Sequence, residues 1–246
     1  MSVDSRVGQV FTTNGGTDCV IVEYNGTYNV KVRFLDDYNY ETVVAMKELR
    51  NGEVKNPFSK SVYGVGFLGK GKFKTAINKV LTPEYKYWSG MIMRCYYEMS
   101  LMKNPSYKNC TVCEEWHNFQ FFAEWITTHE SFGLGYELDK DLLIKGNKLY
   151  SPETCSLLPK EVNMAINGIY LSKGRFKQGV SLTKSGKFQA QLSCFGENKY
   201  LGCFETEKEA EKVYKQSKEE YIKIVADKWR DTISKKSYDA LMLWSV

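Results

Sequence analysis

Short runs of alternating apolar and polar residues, separated by turn signals, occur near both ends of this chain of 246 residues. Residues 28–34 alternate in this way just after the Asn-Gly turn signal at 25–26, and residues 186–192 repeat the pattern. Side chains along a strand point alternately to two faces, so each run can bury one face and leave the other in water. The pattern predicts small, half-buried β-sheets at the two ends of the chain.

The N-terminal block, residues 1–57, carries several of these runs and no cluster of acids, bases or nucleophiles. Short strands joined by tight turns predict a small, strongly bent β-barrel of the SH3-like kind. We expect this module to dock or to stabilise rather than to catalyse, with a protein partner as one option. The predicted strands cover residues 7–11, 18–24, 28–34 and 40–44.

The central block shows helical spacing. Apolar and aromatic residues recur three and four positions apart after about Leu81, and a second stripe follows the break at Asn104-Pro105. Two amphipathic helices with aromatic faces are predicted, and their core would hold the following segment rigid. The stripes comprise Tyr87, Trp88, Met91, Ile92, Cys95 and Tyr96, and then Phe119, Phe122, Ala123 and Trp125.

Composition favours a folded, soluble chain, because 43% of the residues are hydrophobic and 14% are aromatic. No run approaches the about 20 apolar residues of a membrane span, and no apolar signal core follows the first residues. We therefore expect a cytoplasmic protein without a membrane partner. The net charge of +5 is a mild basic bias. Its clusters could neutralise phosphates or form a solvated surface: Lys60, Lys70, Lys72, Lys74 and Lys79, then Lys173, Arg175, Lys177, Lys184 and Lys187.

The first basic cluster lies in a segment rich in glycine, lysine and aromatic residues, which we interpret as a linker over residues 58–80. Residues 64–69 match the pattern GxGxxG, but neither a preceding strand nor a helix opening on the last glycine is evident. A flexible basic linker is predicted instead. We expect Lys70, Lys72 and Lys74 to lie along a nucleic-acid backbone.

Seven cysteines, an odd number, are spread unevenly and do not indicate a disulfide framework. Cys110 and Cys113 have the spacing of a zinc knuckle, but a structural zinc needs two further ligands. Reduced, partly buried thiols are the favoured interpretation, with zinc as the alternative. His117 and His129 lack a ligand partner at helical spacing, and we expect surface or capping roles for both.

The most informative stretch for function begins at Asp139, near the end of a short predicted strand. A turn-rich loop follows, and then a helix-like segment that carries Asn163. Two such oxygen-bearing groups that converge can hold a hard divalent cation, as sites that cleave phosphodiesters do. Such a site would usually place a histidine base after the aspartate, where this chain has Lys140.

A series of short motifs leads from the middle of the chain to this stretch. The motifs are Trp88, 94–96 (RCY), 113–116 (CEEW), 138–141 (LDKD), 150–155 (YSPETC) and Asn163. In their order and spacing they resemble those of the HNH endonuclease-like proteins of phages and mobile elements. The resemblance implies a ββα-metal domain over residues 81–170, with Mg²⁺ or a similar ion held by Asp139 and Asn163. The histidine base of the family is replaced by Lys140 and its later asparagine by Thr154, so both departures affect the base and not the two metal ligands.

The C-terminal block, residues 171–246, predicts three strands and a helix. Alternating runs at 179–183, 186–192 and 198–204 precede a capping box at Thr206 and Glu209, which opens a helix to about Ile224. The block resembles the AP2 DNA-binding domain, whose sheet enters the major groove of duplex DNA. The positions that would then face the bases are Ser181, Thr183, Lys187, Gln189 and Gln191.

Together these patterns predict an α+β protein with an SH3-like module, a ββα-metal domain and an AP2-like module. The expected function is that of a phage-type HNH endonuclease-like protein of the homing endonuclease group, which binds and nicks double-stranded DNA. The catalytic residues would be Asp139, Lys140 and Asn163, in the host cytoplasm if the source is viral. Two alternatives stay open: a non-cleaving DNA-binding regulator or inhibitor of host machinery, and an assembly factor that binds RNA or protein.

Overall fold

The computed structural model describes residues 5–167 and 176–246 and shows a mixed α+β protein. The chain divides into two compact units, residues 1–127 and 128–246. Lys173, Arg175 and the expected boundary between residues 170 and 171 lie outside the described residues. The division between the units falls inside the expected domain 81–170, so the four-part division stays a prediction. Within the described ranges, none of the helices combines the length and apolarity of a membrane span.

The elements of the first unit are short strands followed by helices. The strands are β1 (Val10–Thr12), β2 (Asp18–Tyr24), β3 (Val30–Phe34), β4 (Glu41–Val44), β5 (Ala76–Ile77), β6 (Val80–Leu81) and β7 (Thr111–Val112). The helices are α1 (Met46–Arg50), α2 (Pro83–Tyr96), α3 (Glu98–Lys103) and α4 (Phe119–Thr127), with 3₁₀ turns at Pro105–Tyr107 and Glu114–His117.

Strands β1 to β4 form an antiparallel meander in chain order. Their inward side chains bury a core with α1, in which Ile21, Val32 and Phe34 are at most 1% exposed. The predicted strands of the N-terminal block are therefore confirmed. The sheet is open, and no closed barrel is found among the residues that the structure describes.

Helices α2 and α4 pack together through the predicted aromatic stripes. Proline at the first position of α2 fits there, because the first N–H groups of a helix have no partner within it. Trp88 is fully buried, and its indole N–H donates to the Trp116 carbonyl at 2.7 Å. His117 is half-buried against the edge of Tyr96 rather than on the surface, and burial lowers its imidazole pKa.

The Gly/Lys-rich segment is folded onto the N-terminus of α4, which corrects the expectation of a flexible linker. Phe67 is 6% exposed, and its backbone pairs with His117 and Phe119. The Gln120 amide donates to the carbonyls of Leu68 and Phe73 and accepts from the Phe73 N–H. Buried aromatic and amide anchors of this kind hold a segment that composition alone describes as mobile.

The second unit contains a small hairpin and a three-stranded sheet, each with a helix. The strands are β8 (Glu137–Asp139), β9 (Leu149–Tyr150), β10 (Ser156–Leu158), β11 (Val180–Leu182), β12 (Phe188–Cys194) and β13 (Glu197–Phe204). The helices are α5 (Lys160–Asn167), α6 (Glu207–Lys228) and α7 (Lys235–Met242). Strand β8 pairs antiparallel with β10, and α5 packs against β8.

Strands β11, β12 and β13 form an antiparallel sheet in that order, and α6 covers one face. The capping box is confirmed: the Thr206 hydroxyl accepts from the Glu209 N–H, and the Glu209 carboxylate accepts from the Thr206 N–H. Gly179, just before β11, has φ of +73°, and a Cβ there would lie 2.1 Å from the Tyr214 ring. The sheet and helix thus approach closely at a residue that has to be glycine.

Candidate metal and nucleic-acid site

The hairpin and α5 bring an asparagine to a carboxylate on the predicted strand. Asn163 Nδ2 donates to Glu137 Oε2 at 2.5 Å. Glu137 lies two residues before Asp139 on β8, so the two carboxylates share one face of the strand. Glu137 was not among the predicted site residues, although the two-residue period of the strand could have indicated it. The structure therefore supports the pairing of this strand face with α5 and adds Glu137 to it.

The Asp139 carboxylate is buried at the end of β8, with 5% of the residue exposed. Its Oδ2 accepts the N–H groups of Asp141 and Leu142 at 2.8 and 2.7 Å. Burial raises the pKa of Asp139 to about 6, more than the two backbone N–H groups lower it. A neighbouring cation would offset this unfavourable burial of charge.

Carboxylate and amide oxygens are ligand types that Mg²⁺ prefers, so the side chains of Asp139 and Asn163 fit a hard divalent ion. No group of three or more His, Cys, Asp or Glu side chains that could hold a metal occurs in the described part of the chain. An ion held by Asp139 and Asn163 would thus need water or phosphate to complete its shell, as Mg²⁺ commonly does.

Lys140 follows Asp139, where the HNH resemblance would place a histidine, and it points into the protein rather than to solvent. It is 5% exposed, and its Nζ donates to both oxygens of Asp141, at 2.8 and 2.7 Å, and to the Asn147 carbonyl at 3.0 Å. The Nζ also lies 5.8 Å from the centroid of the Tyr150 ring. These contacts make Lys140 an anchor of the loop after Asp139, which disfavours both a base and a phosphate contact.

Thr154, where the family places an asparagine, is also engaged in its own turn. Its Oγ1 donates to the Leu149 carbonyl at 2.7 Å and accepts the Ser151 N–H at 3.1 Å. The residue is 6% exposed. A threonine hydroxyl committed to backbone groups in this way holds the turn and leaves no amide to orient a water molecule.

The face of the three-stranded sheet opposite α6 is polar, as predicted. Ser181, Gln189 and Cys203 lie side by side across the strands, and Gln191 is paired with Tyr200. The Gln189 amide donates to the Ser181 hydroxyl at 3.0 Å. Tyr200, which is 59% exposed on this face, was not among the predicted positions.

Two more predicted residues lie at the edge of this face and carry local contacts. Lys187 Nζ pairs with the exposed carboxylate of Glu205 at 2.5 Å, and Thr183 Oγ1 accepts the Lys187 N–H at 3.1 Å. An exposed lysine in such a pair can exchange its partner for a phosphate at small cost. The five predicted positions are therefore brought to one sheet and its turn.

The remaining predicted residues lie in the first unit. Lys70, Lys72 and Lys74 are exposed, and Lys72 lies 3.7 Å from Glu124 Oε1. Cys110 is buried and Cys113 half-buried, and neither forms a disulfide. The lysines are thus on the surface of their unit, where the prediction requires them.

Comparison of the chain with models of protein families, with curated proteins and with solved structures gives no match. The contacts, burial and chemistry of the site's own residues are therefore the basis for a function.

Proposed function

We propose that this protein binds duplex DNA and nicks it with a metal-dependent, HNH-like site. The observation that carries the proposal is the ββα arrangement of β8, β10 and α5, in which Asn163 meets the strand face of Glu137 and Asp139. In this proposal residues 1–57 form the SH3-like module, and residues 171–246 form the AP2-like module.

Each residue of the site has a distinct role in the proposal. Asp139 and Asn163 hold the divalent ion, and Glu137 orients the Asn163 amide through its hydrogen bond. The ion, when bound, stabilises the negative charge that develops on the scissile phosphate. Ser181, Gln189 and Gln191 contact base edges or phosphates, while Lys187 and the exposed lysines of the first unit contact phosphates.

A second candidate function is DNA binding without cleavage, as a regulator or inhibitor of host machinery. A specific observation favours it: Lys140 and Thr154, at the positions of the family's base and water-orienting asparagine, are both engaged in structural hydrogen bonds. The two metal ligands, Asp139 and Asn163, would still bind the ion without a base, but cleavage would be slow.

The decisive measurement is nicking of supercoiled plasmid DNA with Mg²⁺ or Mn²⁺. Asp139→Asn keeps an oxygen that can accept the two backbone N–H groups but removes the charge that holds the ion. We expect it and Asn163→Ala to reduce nicking about 100-fold, and Glu137→Gln about tenfold. Asp231→Asn, a change of the same type at an exposed position, is the matched control and should cleave normally.

The outcomes separate the two candidates. Wild-type protein that binds DNA but nicks it with neither metal supports the non-cleaving candidate. Nicking that survives Asp139→Asn would contradict the proposed site. DNA binding is measured by fluorescence anisotropy, where Gln189→Ala and Gln191→Ala should weaken affinity and a rising salt concentration should lower it steeply. A response independent of salt would contradict nucleic-acid binding.

A further inference from the structure

Helix α6 carries a lysine at a core position. Its buried face repeats at helical spacing and contacts the three-stranded sheet, and every member is apolar or aromatic except one. Lys218 is 4% exposed, whereas a charged residue on that face would ordinarily extend to solvent. The buried residues of α6 are Ala210, Tyr214, Lys218, Ile222, Val225 and Ala226.

The Lys218 ammonium has no countercharge within the described part of the chain. Among the residues that the structure describes, its Nζ forms neither an ion pair nor a hydrogen bond, and the Tyr221 ring, with its centroid 5.4 Å away, is a weak substitute. Burial lowers the pKa of Lys218 by more than the nearby Cys194 raises it. A buried charge without a partner is costly, so this position is favourable only where something compensates it.

Lys218 lines a cavity of about 430 Å³ beside the end of β12. This volume is within the range of sites for small organic molecules. The rings of Tyr214, Tyr221 and Phe195 line it, and Phe195 and Tyr221 meet edge to face at 5.0 Å. Its polar, uncharged lining residues are Gln178, Gln191, Ser193 and Asn198. The cavity thus combines aromatic and polar walls with Lys218, the one cation among its described lining residues.

We propose that this cavity binds a small organic anion, whose carboxylate or phosphate group pairs with Lys218 Nζ and whose apolar body contacts the tyrosine rings. The pairing supplies a countercharge, and a charge-assisted hydrogen bond to a largely buried amine is stronger than one between fully exposed groups. Glu197 is the acidic residue among the described lining residues, and it is exposed at the start of β13, whereas Lys218 is buried. The site does not depend on the proposed DNA cleavage, because it uses none of the metal-binding residues.

Thermal unfolding with defined probes tests the proposal. Benzoate and phenyl phosphate carry an aromatic body with either anionic group, benzyl alcohol lacks the charge, and inorganic phosphate lacks the body. We expect benzoate or phenyl phosphate at millimolar concentration to raise Tm, and benzyl alcohol and inorganic phosphate to have little effect. The larger of the two shifts identifies the preferred group, carboxylate or phosphate.

Lys218→Met keeps the length and apolar stem of the side chain and removes the charge. It should weaken binding of the effective probe about tenfold or more. Lys223→Met, at an exposed position of the same helix, is the matched control and should bind normally. Equal binding by wild type and Lys218→Met would overturn the proposal, as would wild type that neither anion stabilises.

A second measurement needs only wild-type protein and so does not depend on the folding of a variant. Acetic anhydride acetylates accessible amines, and mass spectrometry gives the rate at each lysine. The effective probe should slow acetylation of Lys218 several-fold and leave Lys223 unchanged. An unchanged rate at Lys218 in the presence of saturating probe would overturn the proposal.

Discussion

Two lysines of the second unit are almost equally buried and are compensated in opposite ways. Lys140 is 5% exposed, and its ammonium is surrounded by the Asp141 carboxylate and the Asn147 carbonyl. Lys218 is 4% exposed and lines a cavity instead. Burial of a charge therefore does not by itself indicate function. A cation whose partners come from the protein holds a loop, whereas one that faces a cavity is a candidate for a ligand.

The largest effect on stability is expected when the ion pair between Lys140 and Asp141 is broken. Lys140→Met should lower the free energy of unfolding by about 3 to 5 kcal/mol, because Asp141, whose side chain is 22% exposed, loses its partner. Urea unfolding monitored by circular dichroism measures the change. Lys160→Met, at an exposed lysine, should be near neutral. A loss no greater than that of the control would show that Lys140 is not the anchor of its loop.

A smaller effect, a gain in the free energy of unfolding, is expected when Asp139, the buried acid beside Lys140, is replaced. The pKa of Asp139 is raised from 3.8 to about 6, so the folded state retains a proton that the unfolded state has lost between these values. The stability of wild type should therefore fall as pH rises through that window. Asp139→Asn removes the cost and should raise the free energy of unfolding at pH 7 by about 3 kcal/mol at most.

The pH dependence provides the check on this prediction. The difference in unfolding free energy between Asp139→Asn and wild type should shrink as pH falls from 6 to 4, because protonation of Asp139 removes the same charge. The two proteins are compared at each pH so that other titrating groups cancel. A difference that is constant with pH would contradict the buried, ionisable state of Asp139.

Replacement of the second buried lysine, Lys218, is expected to increase stability. Without ligand, Lys218→Met should raise the free energy of unfolding by about 1 kcal/mol, because an apolar group replaces an uncompensated buried charge. Chemical unfolding in a buffer without carboxylate or phosphate measures it. A loss comparable to that of Lys140→Met would contradict the contrast and indicate that the amine has a partner within the protein.

The smallest effect is expected at an exposed pair. Lys187→Met should leave the free energy of unfolding unchanged within error, because Lys187 and Glu205 are both solvated. If Lys187 contacts a DNA phosphate, the change should reduce the slope of the logarithm of affinity against the logarithm of salt concentration by about 1. An unchanged slope would place Lys187 outside the DNA contact.

The regular elements were predictable because periodicity depends on local sequence. The strands at both ends of the chain, the helix stripe around Trp88 and the capping box at Thr206 all appear as expected. The closure of the N-terminal barrel was not confirmed, and the segment around Phe67 was expected to be flexible. Sheet closure and the anchoring of that segment depend on contacts between distant residues, which composition does not reveal.

The candidate site was predictable in part. Asp139 could be placed at a strand end and Asn163 on a helix, and Asn163 does contact the face that carries Asp139. The period of the strand could have indicated Glu137, but its hydrogen bond to Asn163 depends on how α5 packs on the hairpin. The burial of Lys140 and Lys218, and the partners that only Lys140 has, depend on contacts between residues that the sequence does not show. The α6 stripe is the exception, since a lysine at a core position could have been noticed.

Gly179 and Tyr214 are in such close contact that the two positions should vary together in natural variants of this sheet. Any Cβ at 179 would strike the Tyr214 ring, so the glycine and the tyrosine depend on each other. A variant with a larger residue at 179 would have to give up the tyrosine, and with it one aromatic wall of the cavity. A glycine at 179 together with a tyrosine at 214 and a lysine at 218 would then mark the chains that retain the pocket.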